Sequence, residues 1–184
     1  MKNLFTAPTK KGFAMLFAVL VSSVLLSVGV SIFNLTLKEL VLSSSGRESQ
    51  FAFYAADTGI ECAIYWDFKS ATPGIMFATS SASVGAWRND LIDAQTPAPS
   101  CVGIDLADSF KTGIVEQTGS SAKTRFQLTI PTVDPQGMPA SYCAIVDVSK
   151  TDDLISTIIE SRGYNTACDS TDQNRIERGL KVSY

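Results

Sequence analysis

The sequence predicts an α+β fold in which one long N-terminal helix packs on a four-stranded antiparallel sheet. Three features support this. A long apolar run opens the chain, a segment rich in Ser, Thr, Gly and Pro follows, and segments that alternate between apolar and polar residues close it. The 184 residues, 45% of them hydrophobic, suffice for one modest domain and an additional apolar segment.

Composition argues against several classes of function. A formal net charge of -3 and a pI near 4.9 provide no basic field, so no nucleic-acid partner is expected. The absence of histidine removes Ser-His-Asp triads and the commonest zinc ligand. The four cysteines form no C-x-x-C pair, which argues against a thiol redox motif. We therefore expect neither enzymatic activity nor a cofactor.

The apolar run is long enough to cross a membrane. Gly12 to Leu37 contains no charged residue, and at about 1.5 Å per residue it spans a hydrocarbon layer of about 30 Å. A secretory signal has a shorter core and an A-x-A-like cleavage site, which is missing here. Lysines precede the run, so the positive-inside rule places the N-terminus in the cytoplasm and the C-terminus outside. We expect a single-pass protein of the cytoplasmic membrane with residues 13–37 transmembrane.

Helical spacing continues beyond the membrane segment, which predicts one helix over residues 13–69. Its weak point is Ser43–Ser49, because glycine and serine are poor helix formers, and Pro73-Gly74 ends it. Apolar residues recur three and four apart on two faces, so the helix is expected to contact the domain on one side and another surface on the other. The first face carries Phe51, Ala55, Thr58, Cys62 and Trp66, and the second carries Phe53, Ala56, Ile60 and Ile64.

A connecting loop with little regular structure is predicted over residues 70–124. Within it, Ala86–Ala94 predicts a short helix and Asp105–Gln117 a short strand. The sheet is expected over residues 125–184, where alternation with period two indicates half-buried strands. The four segments are RFQLTI, YCAIVDV, LISTIIES and RIERGLKVSY, with KTDD as a polar turn. Arg178 interrupts the apolar face of the last one.

Lys10-Lys11-Gly12-Phe13, placed directly before the apolar run, resembles the class III signal sequence of type IV pilins and pseudopilins. Gly46–Asp67 further resembles minor pilins with a PilX-type N-terminal segment. The resemblance covers the whole chain. It implies a type IV pilin-like fold with a leader peptide at 1–12, a stem helix at 13–69 and a globular head at 70–184, often with a disulfide-closed C-terminal loop.

The resemblance also implies a function. A prepilin peptidase would cut between Gly12 and Phe13, behind Lys10 and Lys11, and methylate the new N-terminus. The chain would then leave the membrane as a structural minor subunit of an extracellular pilus or pseudopilus and pack against other pilin subunits through its stem helix. The alternative is an uncleaved bitopic protein whose exported domain binds a ligand or adheres to a surface.

Phe17 departs from the family pattern. Most members carry glutamate at the fifth residue after the cut, where it is thought to neutralise the N-terminal amine of a neighbouring subunit. A charge at mid-membrane costs about 2.5–3.5 kcal/mol on insertion scales, so Phe17 enters lipid more easily but lacks that docking charge. Some pseudopilins without the glutamate occupy the filament tip, which makes a tip position the expectation here.

The four cysteines permit three pairings. We favour Cys62–Cys101, which would tie the loop to the helix, and Cys143–Cys168, which would close a C-terminal loop as in the family. Each pair joins segments that are near one another in the expected fold. The alternative is four free buried thiols, which is unusual for an exported domain.

The remaining candidate residues have simpler interpretations. Asp57 and Glu61 are four apart on the helix, where like charges usually mark a solvated face rather than a catalytic pair. Tyr65, Trp66 and Trp87 could serve adhesion, although core packing is the better interpretation for Trp66. A weak calcium candidate consists of Asp152, Asp153, Asp169 and Asp172, but no EF-hand spacing is present and solvated loop acids are favoured.

Overall fold

The structure is a computed structural model that describes residues 11–70, 76–80, 86–134, 137–151 and 156–184. Its helices are α1 (Lys11–Lys69), α2 (Ala86–Asp93) and α3 (Ala107–Thr112). Its strands are β1 (Ser100–Cys101), β2 (Ile104–Asp105), β3 (Ile114–Gln117), β4 (Ser121–Val133), β5 (Pro139–Thr151), β6 (Ser156–Tyr164) and β7 (Glu177–Ser183). The chain divides into two compact units, Met1–Ser45 and Gly46–Tyr184.

The long N-terminal helix packs on an antiparallel sheet, which confirms the α+β class. Helix α1 ends at Lys69 as expected and begins at Lys11, two residues before the expected start. It continues through the predicted weak point, and the division between the two units falls there, after Ser45. A single glycine inside a helix costs only about 1 kcal/mol, which does not interrupt a helix of this length.

The main sheet has five strands in the order β3-β4-β5-β6-β7, all antiparallel, so the predicted number of four is wrong. The additional strand is β3, and β4 itself starts at Ser121, so the sheet begins before the expected residue 125. Strand β3 has four residues and no buried side chain. Its pairing with β4 comes from the tertiary fold, because so short and exposed a segment gives no clear alternation.

The connecting segment contributes much of the hydrophobic core. Phe77 and Phe110 of this segment form a cluster with Phe126 of β4, with ring centroids 5.0–6.0 Å apart. Other buried members from the same segment are Met76, Ile92 and Leu106. These apolar residues follow no period, so sequence pattern does not reveal them. Both short elements predicted within the segment, a helix near residue 86 and a strand before residue 117, are present.

Small residues allow close approach between α1 and the sheet. The helix face that covers the sheet carries Ala52, Ala55, Ala56, Gly59 and Ala63, all buried. A Cβ added at Gly163 of β6 would overlap the backbone of Ala52 and Ala56, and one added at Gly59 would meet the side chains of Ser161 and Val146. The opposite face of the sheet is not covered by α1.

Candidate functional surfaces

The apolar part of α1 is the first candidate surface. Every side chain described between Phe13 and Leu42 is exposed, and this helix is long and apolar enough to cross a membrane. Three hydroxyls on it donate to carbonyl oxygens of the same helix: Ser23 to Leu20 at 2.8 Å, Ser31 to Ser27 at 2.9 Å, and Thr36 to Ile32 at 3.0 Å. Polar groups satisfied in this way are compatible with lipid or with neighbouring apolar helices.

The expected processing residues lie at the start of this surface. Gly12 and Phe13 are in the first turn of α1, which begins at Lys11, whereas residues 1–10, including Lys10, lie outside the described residues. Phe13 is 77% exposed and Phe17 is 59% exposed. Residue 17 therefore presents a large apolar ring and no charge on this surface.

Two disulfides are present, in the pairing favoured from sequence. Cys62–Cys101 joins α1 to the β1–β2 hairpin, with a Cα–Cα distance of 6.1 Å. Cys143–Cys168 joins β5 to the loop before β7, with a Cα–Cα distance of 4.9 Å. Next to the first bridge, the indole nitrogen of Trp66 donates to the carbonyl of Ser100 at 3.1 Å. The connecting segment is thus tied to the helix by a covalent bond and a hydrogen bond.

A buried polar cluster joins the C-terminus to the helix, and sequence analysis missed it. Lys150 donates to Asp67 at 2.7 Å, and the Tyr184 hydroxyl donates to the same carboxylate oxygen at 3.0 Å. Burial and the Asp67 carboxylate raise the pKa of the Tyr184 phenol. The period-two alternation of β5 could have indicated that Lys150 is buried, because Val146, Val148 and Lys150 all point to the covered face of the sheet.

A charged cluster on the uncovered face of the sheet was also missed. Arg125 donates two hydrogen bonds to Asp147, at 2.7 and 2.9 Å, and Lys123 and Arg162 each lie 3.4 Å from the same carboxylate. Burial alone would raise the pKa of Asp147, but the hydrogen bonds and charges of Arg125 and Lys123 outweigh it and lower that pKa. Asp147 is therefore an anion held by three cations.

One cross-strand row extends this cluster. The register aligns Arg125, Asp147, Glu160 and Lys181 on four adjacent strands, so two carboxylates are direct neighbours between two cations. Lys181 donates to Glu160 at 2.7 Å, and this hydrogen bond lowers the pKa of Glu160. Like charges opposite one another are unfavourable, and the flanking cations offset that repulsion. A shallow pocket of about 400 Å³ lies over the row.

The carboxylates singled out on the helix are not brought into a site. Glu61 is exposed and Asp57 is half-buried, both on the side of α1 that faces away from the sheet. Trp66 belongs to the core, at 3% exposure, whereas Tyr65 is 52% exposed with its ring edge-on to the Trp66 ring. The Trp87 side chain lies outside the described part of the chain.

The calcium candidate is not assembled among the residues that the structure describes. Asp169 and Asp172 are exposed in the loop before β7, where the Asp172 carboxylate accepts a hydrogen bond from the Asn174 amide at 2.9 Å. Asp152 and Asp153 lie outside the described residues. Within the described residues, no three acidic, cysteine or histidine side chains gather in a way that could hold a metal ion.

Comparison with known proteins adds no assignment: no family model, no curated protein and no solved structure matches this chain.

Proposed function

We propose that this protein is a structural minor subunit of a type IV pilus or related pseudopilus, cut by a prepilin peptidase between Gly12 and Phe13. The observation that carries the proposal is the apolar surface of α1, exposed on every side from Phe13 to Leu42, behind a Lys-Lys-Gly-Phe motif. Exposing that surface to water would cost tens of kcal/mol at about 25 cal/mol per Å². Lipid satisfies it before assembly, and a bundle of similar helices satisfies it afterwards.

The head supports this role through rigidity rather than chemistry. Two disulfides fasten the connecting segment and the C-terminal loop of the second compact unit. Disulfides persist in an oxidising compartment, in agreement with a head exported from the cytoplasm. Phe17 in place of the usual glutamate favours a position at the filament tip, where no earlier subunit requires a docking carboxylate.

The test is the N-terminus of the chain in cells with and without prepilin peptidase. We expect a mature chain that begins with N-methyl-Phe13 only when the peptidase is present, measured by intact mass and N-terminal sequencing. Gly12→Val should prevent the cut. Gly29→Ala is the matched control, because an added Cβ there meets no atom within 4 Å, and it should be processed normally. A chain that keeps Met1–Gly12 in both strains would establish the uncleaved bitopic protein instead.

A further inference from the structure

The side of α1 that faces away from the sheet carries an unusual set of exposed side chains. Four aromatic rings lie on it: Phe53, Tyr54, Tyr65 and Phe68 are 44–62% exposed. Asp57 and Glu61 lie between them, and the surface from Phe53 to Phe68 has no cation. We call these six residues the aromatic stripe. Exposed aromatic clusters of this kind are enriched at protein interfaces and are rare on surfaces that stay in water.

The uncovered face of the sheet carries positive charge, which is complementary to the carboxylates of the aromatic stripe. Its shallow pocket is lined by four cations and two carboxylates, an excess of two positive charges on an acidic protein. We call this set the basic patch, and it consists of Lys123, Arg125, Asp147, Glu160, Arg162 and Lys181. The side chains of Arg125 and Arg162 are each 40% exposed. Guanidinium groups bind carboxylates and also stack on aromatic rings, so both chemistries of the stripe suit them.

The spacing of the charges also corresponds. Asp57 and Glu61 are one helical turn apart, about 6 Å along the axis. Lys123 and Arg125 are two residues apart on β4, about 6.6 Å along the strand. Two carboxylates on the stripe therefore match the excess of two positive charges on the patch in number, and their separation is close to that of Lys123 and Arg125.

We propose that a second copy of this chain docks here, with the aromatic stripe of one head lying on the basic patch of the next. The inference rests on the proposed function, since it names the neighbour of the head in the assembly. Because α1 lies on one face of the sheet and the basic patch on the other, the contact uses two different surfaces of each copy. Such a heterologous contact leaves one free stripe and one free patch after each addition, so it continues beyond a dimer and forms an open chain unless the rotation between copies closes a ring.

The test uses the full chain with its disulfides intact, reconstituted in phosphatidylcholine vesicles as two differently tagged copies. One copy carries a benzophenone amino acid at Tyr54. Irradiation should link the two tags, and mass spectrometry should locate the link on the basic patch of the other copy, in β4, β5, β6 or β7. The control probe replaces Met138, which is 62% exposed in the β4–β5 turn outside both surfaces, and should give no link to these strands.

Charge reversal then tests the complementarity. Asp57→Lys/Glu61→Lys in the stripe should reduce linkage at least about tenfold, as should Arg162→Glu/Lys181→Glu in the patch, because a loss of 1.4 kcal/mol already changes an equilibrium tenfold. Mixing the stripe variant, which carries the probe, with the patch variant should restore linkage. Restoration also shows that both variants are folded. The milder Lys181→Gln changes a side chain that is 60% exposed, and it should lower linkage without affecting the fold.

Three outcomes would overturn the docking: linkage no higher than at Met138, linkage insensitive to both reversals, or linkage to a different surface or protein. A second probe at Leu25 separates this failure from failure of the proposed function. Links between stems at Leu25 without links at Tyr54 would contradict the proposed contact between heads, whereas the proposal of a filament subunit would stand. An uncut N-terminus in cells would contradict the proposal of a filament subunit, irrespective of the cross-linking result in vesicles.

Discussion

Asp147 illustrates how a single charge can be kept on an uncovered sheet face. Its carboxylate is 6% exposed, yet it remains an anion because Arg125 binds both oxygens and two further cations lie close by. Loss of hydration would favour the neutral acid, whereas charge-assisted hydrogen bonds from a planar guanidinium favour the ion more strongly. The lowered pKa of Asp147 shows that the hydrogen bonds and nearby cations outweigh the loss of hydration.

From this we predict a pH-dependent contribution to stability. Asp147→Asn should lower the free energy of unfolding by about 1–3 kcal/mol at pH 7, discounted because Arg125 is partly exposed. Since the pKa is lowered in the folded state, this stabilisation is present above the unfolded pKa of about 3.9 and is lost as the pH falls through the folded value.

The measurement is denaturant unfolding of the full chain in detergent micelles at pH 7 and near pH 3. The difference between wild type and Asp147→Asn should shrink at the lower pH. Glu116→Gln, a change at an exposed position of β3, is the control and should have little effect at either pH. A difference of equal size at both values would contradict the assignment.

Two polar residues on the covered face of the sheet have partners that the residue pattern does not predict. Arg178 interrupts the apolar face of β7, and its Nε donates to the Ser49 hydroxyl of α1 at 2.7 Å. Lys150 lies on the same sheet face and binds Asp67 of the same helix. Both partners are more than 80 residues away in sequence, so the alternation locates these side chains without revealing what they bind.

At the scale of elements, the contact between α1 and the sheet depends on how close two backbones can come. Gly163 of β6 lies directly beneath Ala52 and Ala56 of α1, and its missing Cβ is what leaves room for the helix. A side chain there meets main chain rather than the end of a flexible side chain, so the helix itself would have to move.

Gly163→Ala should therefore destabilise the head by about 1–3 kcal/mol, the usual cost of overpacking a close-packed interface. Gly179→Ala on β7 is the matched control, because its added Cβ meets only the Ser161 carbonyl oxygen at 4.0 Å. Thermal unfolding of the two variants should separate them clearly. Equal melting temperatures would mean that helix and sheet are not in close contact at this point.

At the scale of the whole molecule, one disulfide fastens the connecting segment to α1 and the other fastens the loop between β6 and β7 to β5. They close loops with sequence separations of 39 and 25 residues. In the chain-entropy description the stabilisation grows only with the logarithm of loop length, so the two bridges should contribute similarly.

We predict that removing either bridge by paired Cys→Ser substitutions lowers the free energy of unfolding by about 2–4 kcal/mol. The two variants should lose protection against proteases in different parts of the chain. Without Cys62–Cys101, limited proteolysis should cut between residues 76 and 110, whereas without Cys143–Cys168 it should cut between residues 165 and 176. Cleavage in the same region for both variants would show that the bridges act on the unfolded chain alone.

The sequence by itself determined the features that depend on near neighbours. The apolar run and the helical spacing that follows it predict α1, and Pro73-Gly74 predicts its end near Lys69. Period-two alternation predicts the long strands β4 to β6, because burial of one side of an element imposes its period on the chain. Only the tertiary structure decided that β3 joins the main sheet as its fifth strand, that Phe77 and Phe110 enter the core, and that three cations gather around Asp147. These depend on contacts between residues far apart in the chain, which no local period records.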